Sequence, residues 1–117
     1  MYHVYMIECA DGSLYTGVAA DITRRLREHY YRLPRCARYT RSHPMTGLKG
    51  LWETEDKVTA YRLEYRIKQL DRKAKDRLLA DPREVYRLPG IPDEAVRWVE
   101  EERQADLFFR VKAEDPG

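Results

Sequence analysis

The sequence has little of what defines secreted or membrane proteins. Only two of its 117 residues are cysteines, Cys9 and Cys36, too few for a disulfide framework and without metal-site spacing. No apolar run approaches the roughly 20 residues that a membrane-spanning helix needs. The first residues show no basic segment followed by an apolar one, so no signal peptide is visible. We therefore expect a reduced, cytoplasmic protein without a membrane partner, with Cys9 in its core.

Several chemical motifs are also missing. The His, Cys, Asp and Glu residues, among them His3, Glu8, His43 and Glu53, form no cluster with zinc-site spacing. No glycine-rich loop leads into a Lys-Ser or Lys-Thr pair, which excludes a P-loop nucleotide-binding protein. No helix-turn-helix or zinc finger is visible. Any nucleic acid would therefore be recognised by shape or single-strandedness rather than by a separate sequence-reading module.

Charge is abundant and unevenly distributed. Residues 1–80 hold 16 Lys and Arg against 10 Asp and Glu, a net charge of +6, whereas residues 81–117 carry a net charge of −4. Seven arginines and a single acid, Glu28, lie between Arg24 and Arg41. Such a basic segment indicates either a polyanionic partner or a solvated helix face.

Apolar patterning predicts three strands. The first covers residues 2–9 and is joined to the second, residues 13–18, by an Asp11-Gly12 turn, because glycine accepts the positive φ of a tight hairpin. The third covers residues 48–53. Residues between the hairpin and this third strand include the first predicted helix, followed by a loop or short helix.

Helical spacing of apolar residues predicts helices over residues 22–32, 57–70, 72–80 and 93–105, the first capped by Asp21. Prolines mark an irregular connector before the last of these helices. The predicted fold is α+β, a small three-stranded antiparallel sheet flanked by helices. Residues 1–80 form the domain, and residues 81–117 are predicted to be an acidic, helical C-terminal extension rather than an independent domain.

An ordered set of residues runs through these elements. The set is His3-Val4-Tyr5 on the first strand, Tyr15-Thr16-Gly17 on the second, Arg25-x-x-x-His29 on the first helix, Ala37-x-Tyr39-Thr40-Arg41 in the following loop and Glu64-x-x-x-Lys68 on the next helix. This order resembles the GIY-YIG nuclease family, and within it the small standalone members called YhbQ-like. The resemblance covers residues 2–80 and leaves residues 81–117 outside it.

The resemblance implies a metal-dependent endonuclease that hydrolyses phosphodiester bonds in DNA, with a role in repair or recombination. The implied cofactor is Mg²⁺, with Mn²⁺ as the alternative, and the implied ligand is Glu64, since Mg²⁺ often takes only one or two carboxylates and keeps its waters. Arg25 would hold the scissile phosphate, because a guanidinium matches two phosphate oxygens. Duplex, branched and single-stranded DNA stay open as substrates, as does the oligomeric state.

Tyr5 and Tyr15 are interpreted as the water-activating and phosphate-positioning hydroxyls. A free tyrosine titrates near pH 10, so Tyr5 needs help of roughly 4 kcal/mol to act as a base at pH 7, and Arg25 and the metal would provide it. His29 is the rival base, because its ordinary pKa already suits the task. The predicted catalytic residues are Tyr5, Tyr15, Arg25, His29 and Glu64. The predicted DNA-binding residues are Gly17, Arg24, Arg27, Tyr39, Thr40, Arg41 and Lys68.

Each assignment has a structural alternative. Glu64 and Lys68 stand four residues apart, as in an exposed helical ion pair, and tyrosine is common in strand cores. Gly17 either lets the DNA backbone or a helix approach closely or marks a bulge. For the whole chain, the alternatives are a non-catalytic nucleic-acid-binding module that keeps the fold and a protein-binding domain that uses Leu107-Phe108-Phe109.

The acidic extension also allows two interpretations. In one, Glu100, Glu101 and Glu102 compete with DNA for the surface between Arg24 and Arg41 and act as an internal brake, since a tethered segment has a high effective concentration. In the other, the extension packs through Val96, Trp98 and Val99 on the far side of the domain, where it enlarges the core or makes a dimer contact.

Overall fold

Strands and helices follow one another in the predicted order as far as residue 80. The computed structural model describes residues 1–113. The elements are β1 Tyr2–Cys9, β2 Leu14–Ala19, α1 Ile22–Tyr30, α2 Arg38–Ser42, β3 Met45–Thr54, α3 Lys57–Lys68, α4 Arg72–Ala80, a 3₁₀ helix Pro82–Arg87, β4 Arg97–Trp98 and α5 Glu101–Ala113. Within this described part of the chain, none of the helices is both long and apolar enough to cross a membrane.

Local signals start the helices as predicted. The Asp21 carboxylate accepts the backbone N–H of Arg24 at 3.1 Å, and Asp71 caps α4 in the same way. These bonds satisfy N–H groups that the first turn of a helix leaves unpaired. α1 ends at Tyr30, two residues before its predicted end, because Arg32 adopts a φ of 51°, which an α-helix cannot accommodate.

The sheet is antiparallel and has four strands in the order β2-β1-β3-β4. The α+β prediction is confirmed, with four strands rather than three. β1 is central, and its residue Tyr5 lies opposite Gly17 of β2 and Leu51 of β3. β3 begins at Met45, three residues before its predicted start. These residues were expected in a loop, but the strand pairing with β1 continues through them as far as Met45.

The helix predicted over residues 93–105 is wrong at its start. A turn at Asp93 and Glu94 leads into the two-residue strand β4, after which the backbone N–H of Val99 donates to the carbonyl of Leu51 at 2.8 Å. α5 begins two residues later and continues to Ala113, well beyond the predicted end. Trp98 of β4 meets Trp52 of β3 edge to face, with ring centroids 5.0 Å apart. A contact of this kind between distant segments outweighs the helical preference that the local apolar spacing indicates. A strand of two residues is also too short to show the alternating pattern by which strands are predicted.

β1 is buried on both faces, and this divides the core into two layers. Its even-numbered residues Val4 and Met6 pack in one apolar cluster with residues of α3 and α4. Its odd-numbered residues Tyr5 and Ile7 pack in a second cluster with residues of α1 and α5. Cys9, at the end of the strand, is buried, which confirms its predicted place in the core. Helices therefore cover the sheet on both sides.

α5 covers the sheet on the same side as α1. Its residues Leu107 and Val111 are buried in the second cluster, and the Tyr31 hydroxyl, just after α1, donates to the carbonyl of Val111 at 3.1 Å. The described part of the extension therefore shares the core of the domain. Of the run Leu107-Phe108-Phe109, only Phe109 is largely exposed, at 69%.

The acidic run stands at the outside of this packed segment. Glu100, Glu101 and Glu102 are exposed, whereas Val96 and Val99 are buried. The extension thus packs through the predicted residues, although they precede the helix instead of belonging to it. Competition between the acidic run and DNA for the arginine-rich surface stays a prediction.

We predict that Leu107→Ala lowers the free energy of unfolding by about 2–5 kcal/mol, the usual cost of truncating a buried leucine. The matched control is Phe109→Ala on the same helix, which removes a mostly exposed side chain and should change the free energy by about 0.5 kcal/mol or less. Urea unfolding followed by tryptophan fluorescence measures both. Similar effects of the two substitutions would contradict the docking of α5 on the sheet.

Candidate active site

A buried hydrogen-bonded chain links β1, α1 and α2. The Tyr5 hydroxyl lies 2.6 Å from Nε2 of His29, and Nδ1 of His29 lies 2.8 Å from the Thr40 hydroxyl. Thr40 donates its own proton to the carbonyl of Ala37 at 3.1 Å, so it must accept from Nδ1–H of His29. This leaves Nε2 without a proton, and Nε2 accepts the phenol O–H of Tyr5.

Burial keeps both members of the Tyr5–His29 pair uncharged. Desolvation, followed by the positive charge of Arg25, lowers the pKa of His29 to about 4. Desolvation also raises the pKa of Tyr5 far above its ordinary value, against the opposing effect of Arg25. At neutral pH the pair therefore consists of a neutral imidazole and a protonated phenol, since a buried site disfavours the charged form of each.

Arg25 lies at the edge of this chain and is held by Glu28. Its Nη1 donates to Oε1 of Glu28 at 2.8 Å and to the carbonyl of Arg35 at 2.6 Å, while 26% of its side chain stays exposed. Glu28 is itself almost buried and also pairs with Arg24 at 3.5 Å. Sequence reasoning missed Glu28 as the anchor of Arg25, although their i,i+3 spacing on α1 was the available signal.

Aromatic rings extend from His29 toward the surface. The Tyr15 ring meets His29 edge to face, with centroids 5.6 Å apart, and stacks on Tyr39 at 5.6 Å. Tyr39 in turn stacks on His43 at 3.9 Å, and its hydroxyl donates to the hydroxyl of Ser13. Ser13 and His43 were not predicted as site residues, because nothing in the sequence shows that the hairpin turn and α2 meet.

Glu64 and Lys68 complete this side of the site from α3. The Lys68 ammonium lies 3.5 Å from Oε2 of Glu64 and 5.8 Å from the centroid of the Tyr15 ring. Because Lys68 contacts both Glu64 and the Tyr15 ring, the Glu64 carboxylate lies on the Tyr15 side of the site. The side chain of Glu64 is 21% exposed and therefore accessible to an ion or a substrate.

The residues present fit a hydrated Mg²⁺ ion rather than a zinc ion. Residues 1–113 contain no group of three or more His, Cys, Asp and Glu side chains that could hold a metal. Zinc sites need three or four such ligands. Mg²⁺ binds through one or two carboxylates, waters and substrate phosphate oxygens, so a single carboxylate such as Glu64 would fit such an ion.

Gly17 lies directly under the Tyr5 ring. It pairs with Tyr5 across the β1–β2 ladder, and a Cβ atom at this position would overlap the phenol oxygen and the ring carbon that bears it. The glycine therefore makes room for the Tyr5 ring. The alternatives expected from the sequence were instead close approach of the DNA backbone or a helix, or a bulge. Because Tyr5 is buried, its ring has little room to move away.

The remaining predicted contacts divide into buried and outward-facing residues. Thr40 is fully buried and bonded to His29, so its side chain does not reach the surface. Arg24 is exposed beside Glu28. Arg41 is also exposed, and its guanidinium reaches the carbonyl of Pro34 at 3.4 Å. Arg27 and Arg24 line a surface depression of about 400 Å³ on α1.

Comparison with known proteins shows the family to which the chain belongs. Residues 1–77 match the family described as the GIY-YIG catalytic domain. The chain belongs to the GIY-YIG family. As a member of this family it is a nuclease-type domain, which implies a nucleic-acid substrate and the use of divalent metal ions.

The relatives are small proteins that carry the name UPF0213. The chain is 45% identical to one from Halobacterium salinarum over 78 residues, which cover 67% of this chain and 99% of the relative. It is 36% identical to one from Fusobacterium nucleatum over 81 residues, 69% of this chain and 79% of the relative. It is also similar to the solution NMR structure of a UPF0213 protein from Bacillus halodurans, with 39% identity, a TM-score of 0.46, and coverage of 68% of this chain and 84% of that one.

We predict that Gly17→Ala lowers the free energy of unfolding by about 1–3 kcal/mol, because the added methyl group overpacks a buried site against Tyr5. Gly47→Ala is the control, since a Cβ atom at Gly47 of β3 meets no other atom within 4 Å. Urea unfolding of both variants measures the difference. An unchanged stability in Gly17→Ala would show that the Tyr5 ring does not lie against Gly17.

The His29 environment predicts a pH dependence of stability. The unfolded chain takes up a proton near the ordinary histidine pKa of 6.5, whereas folded His29 stays neutral down to a pKa of about 4. The contribution of His29 is therefore fully present above pH 6.5 and is lost as the pH falls toward 4, by up to about 3 kcal/mol. Urea unfolding at pH 7.5, 6.0 and 4.5 should show a smaller loss in His29→Gln than in the wild type.

The control for this pH series is His43→Gln, which changes a partly exposed histidine and keeps His29. It should retain the pH dependence of the wild type. A His29→Gln variant with the same loss of stability between pH 7.5 and pH 4.5 as the wild type would contradict the neutral, buried state of His29.

Proposed function

We propose that this protein is a Mg²⁺-dependent endonuclease, with Mn²⁺ as an alternative ion, that hydrolyses phosphodiester bonds in DNA in a structure-specific way. The observation that carries the proposal is the buried chain from Tyr5 through His29 to Thr40. Arg25 is held at its edge by Glu28, and Lys68 links Glu64 to the Tyr15 ring that packs on His29. A nuclease needs an activated water, positive charge at the phosphoryl oxygens and a metal ligand. These residues provide a group for each task at one place.

Proton transfer is assigned to Tyr5 and His29 acting together. The phenol oxygen of Tyr5 accepts a proton from the attacking water while its own proton passes to Nε2 of His29, 2.6 Å away. Tyr5 thus never becomes a free phenolate, which its raised pKa disfavours. The bond from Nδ1 of His29 to Thr40 holds the imidazole in the tautomer that can accept this proton.

Charge stabilisation is assigned to Arg25, with Glu64 as the metal ligand. The contacts of Nη1 with Glu28 and Arg35 fix the Arg25 side chain at the edge of the site, and its other N–H groups provide donors for phosphate oxygens. When bound at Glu64, Mg²⁺ would supply positive charge for the phosphoryl and leaving oxygens. Lys68 and Tyr15 are assigned to positioning the phosphate, since both adjoin Glu64 or His29.

We predict that Glu64→Gln abolishes plasmid nicking in Mg²⁺ and changes DNA affinity by only a few fold. The amide keeps the shape of the side chain but is a poor ligand for a hard cation, and the arginine contacts with phosphate stay in place. Gel electrophoresis of nicked plasmid and a DNA-binding titration in EDTA measure the two effects. Glu55→Gln, which changes an exposed acid just after β3, is the control and should cleave as the wild type does.

The same assay separates the alternatives. Full nicking by Glu64→Gln would refute the assignment of the metal ligand. A wild-type protein that binds DNA but does not cut it in Mg²⁺ or Mn²⁺ would be the non-catalytic binding module that keeps the fold. A wild-type protein that neither cuts nor binds DNA would favour a protein-binding role.

A further inference from the structure

α3 carries two exposed tyrosines beside the proposed metal ligand. Tyr61 and Tyr65 are 50% and 56% exposed, whereas the opposite side of the helix is buried through Ala60, Leu63 and Ile67. Burial of the large apolar area of an aromatic ring normally stabilises a fold, and here two rings on neighbouring turns of one helix leave half of that area exposed. The pair is therefore available for contact with something outside the chain.

The two rings adjoin the candidate active site. On a helix with about 100° per residue, Tyr61 lies about 60° and Tyr65 about 100° around the axis from Glu64, on its solvent side. Tyr61 is about 4.5 Å from Glu64 along the axis, and the two tyrosines are about 6 Å apart. The surface that they form is continuous with the Glu64 carboxylate, which pairs with Lys68 beside the Tyr15 ring.

The charges around the rings favour a polyanion. α3 contains four basic residues and one acid, Glu64. Lys68 extends from the Tyr61 side of the helix toward Glu64 and the Tyr15 ring. The Arg66 guanidinium lies 5.6 Å from the centroid of the Tyr65 ring, so a positive charge also adjoins this ring. A second copy of the chain would bring equal positive charges together.

We propose that Tyr61 and Tyr65 form a stacking platform for unpaired bases of a single-stranded DNA segment next to the phosphate that is cut. This inference rests on the proposed function and names the form of its substrate, a DNA with a single-stranded flank. The faces of duplex bases are covered by their neighbours, so only unpaired bases can stack on protein rings.

The test measures binding of the full-length protein to a fluorescein-labelled twelve-residue oligo(dT) by fluorescence anisotropy in EDTA, where no cleavage interferes. The double variant Tyr61→Leu/Tyr65→Leu keeps apolar side chains but has no rings. Loss of base stacking should weaken its binding by about fivefold or more per tyrosine. The double variant Tyr61→Phe/Tyr65→Phe keeps both rings and should bind within about twofold of the wild type.

Two controls define the specificity of the effect. Phe109→Leu changes an exposed aromatic residue on α5, which covers the other face of the sheet, and should leave oligonucleotide affinity unchanged. A blunt duplex of the same length should bind the wild type and the double leucine variant equally. Circular dichroism confirms that the variants are folded, as the exposure of both side chains predicts.

Several outcomes would overturn the inference. These are an unchanged affinity of the double leucine variant for oligo(dT), an equal loss in the double phenylalanine variant, and an equal loss for the blunt duplex. The inference would also be overturned if the wild type did not bind oligo(dT). It would be overturned, too, if sedimentation velocity showed a wild-type dimer that the leucine substitutions dissociate. None of these measurements depends on DNA cleavage. A failure of the stacking proposal can therefore be distinguished from a failure of the proposed nuclease activity.

Discussion

The hydrogen bond between Tyr5 and His29 is the contact around which the rest of the structure is arranged. Both side chains are buried, and a buried polar group without a partner destabilises a fold by about 1–3 kcal/mol. Tyr5 therefore needs α1 to lie over β1 at the position that brings Nε2 of His29 within 2.6 Å. Thr40 has the same role for the other ring nitrogen, which ties α2 to the core as well.

This arrangement places two ionisable side chains, Tyr5 and His29, inside a packed core and charged side chains at its edge. The neutral imidazole and the protonated phenol suit an apolar environment, whereas Arg25 and Glu64 keep access to water. Gly17 provides the space that the phenol requires. The candidate site therefore lies within the apolar layer between the sheet and the helices α1 and α5. Substitutions that change the packing of this layer also change the positions of Tyr5 and His29.

The segment after residue 77 lies outside the family match but not outside the fold. β4 extends the sheet beyond β3, and α5 covers the same face as α1. Glu53 joins this segment to the sheet, since its buried carboxylate lies within 3.6 Å of Arg97 and Arg103 and also pairs with His3. As far as residue 113, the segment thus supports the layer that contains Tyr5, without contributing a residue to the candidate site.

The sequence alone determined the order of strands and helices as far as residue 80, and it placed Tyr5, Arg25 and Glu64 on the right elements. These features are local, because caps, turns and apolar periodicity depend on neighbours within a few residues. Only the tertiary structure decided the fourth strand, the role of Gly17 and the protonation of His29. Each of these depends on contacts between segments far apart in the chain, and periodicity shows which face of an element is buried but not what it meets there.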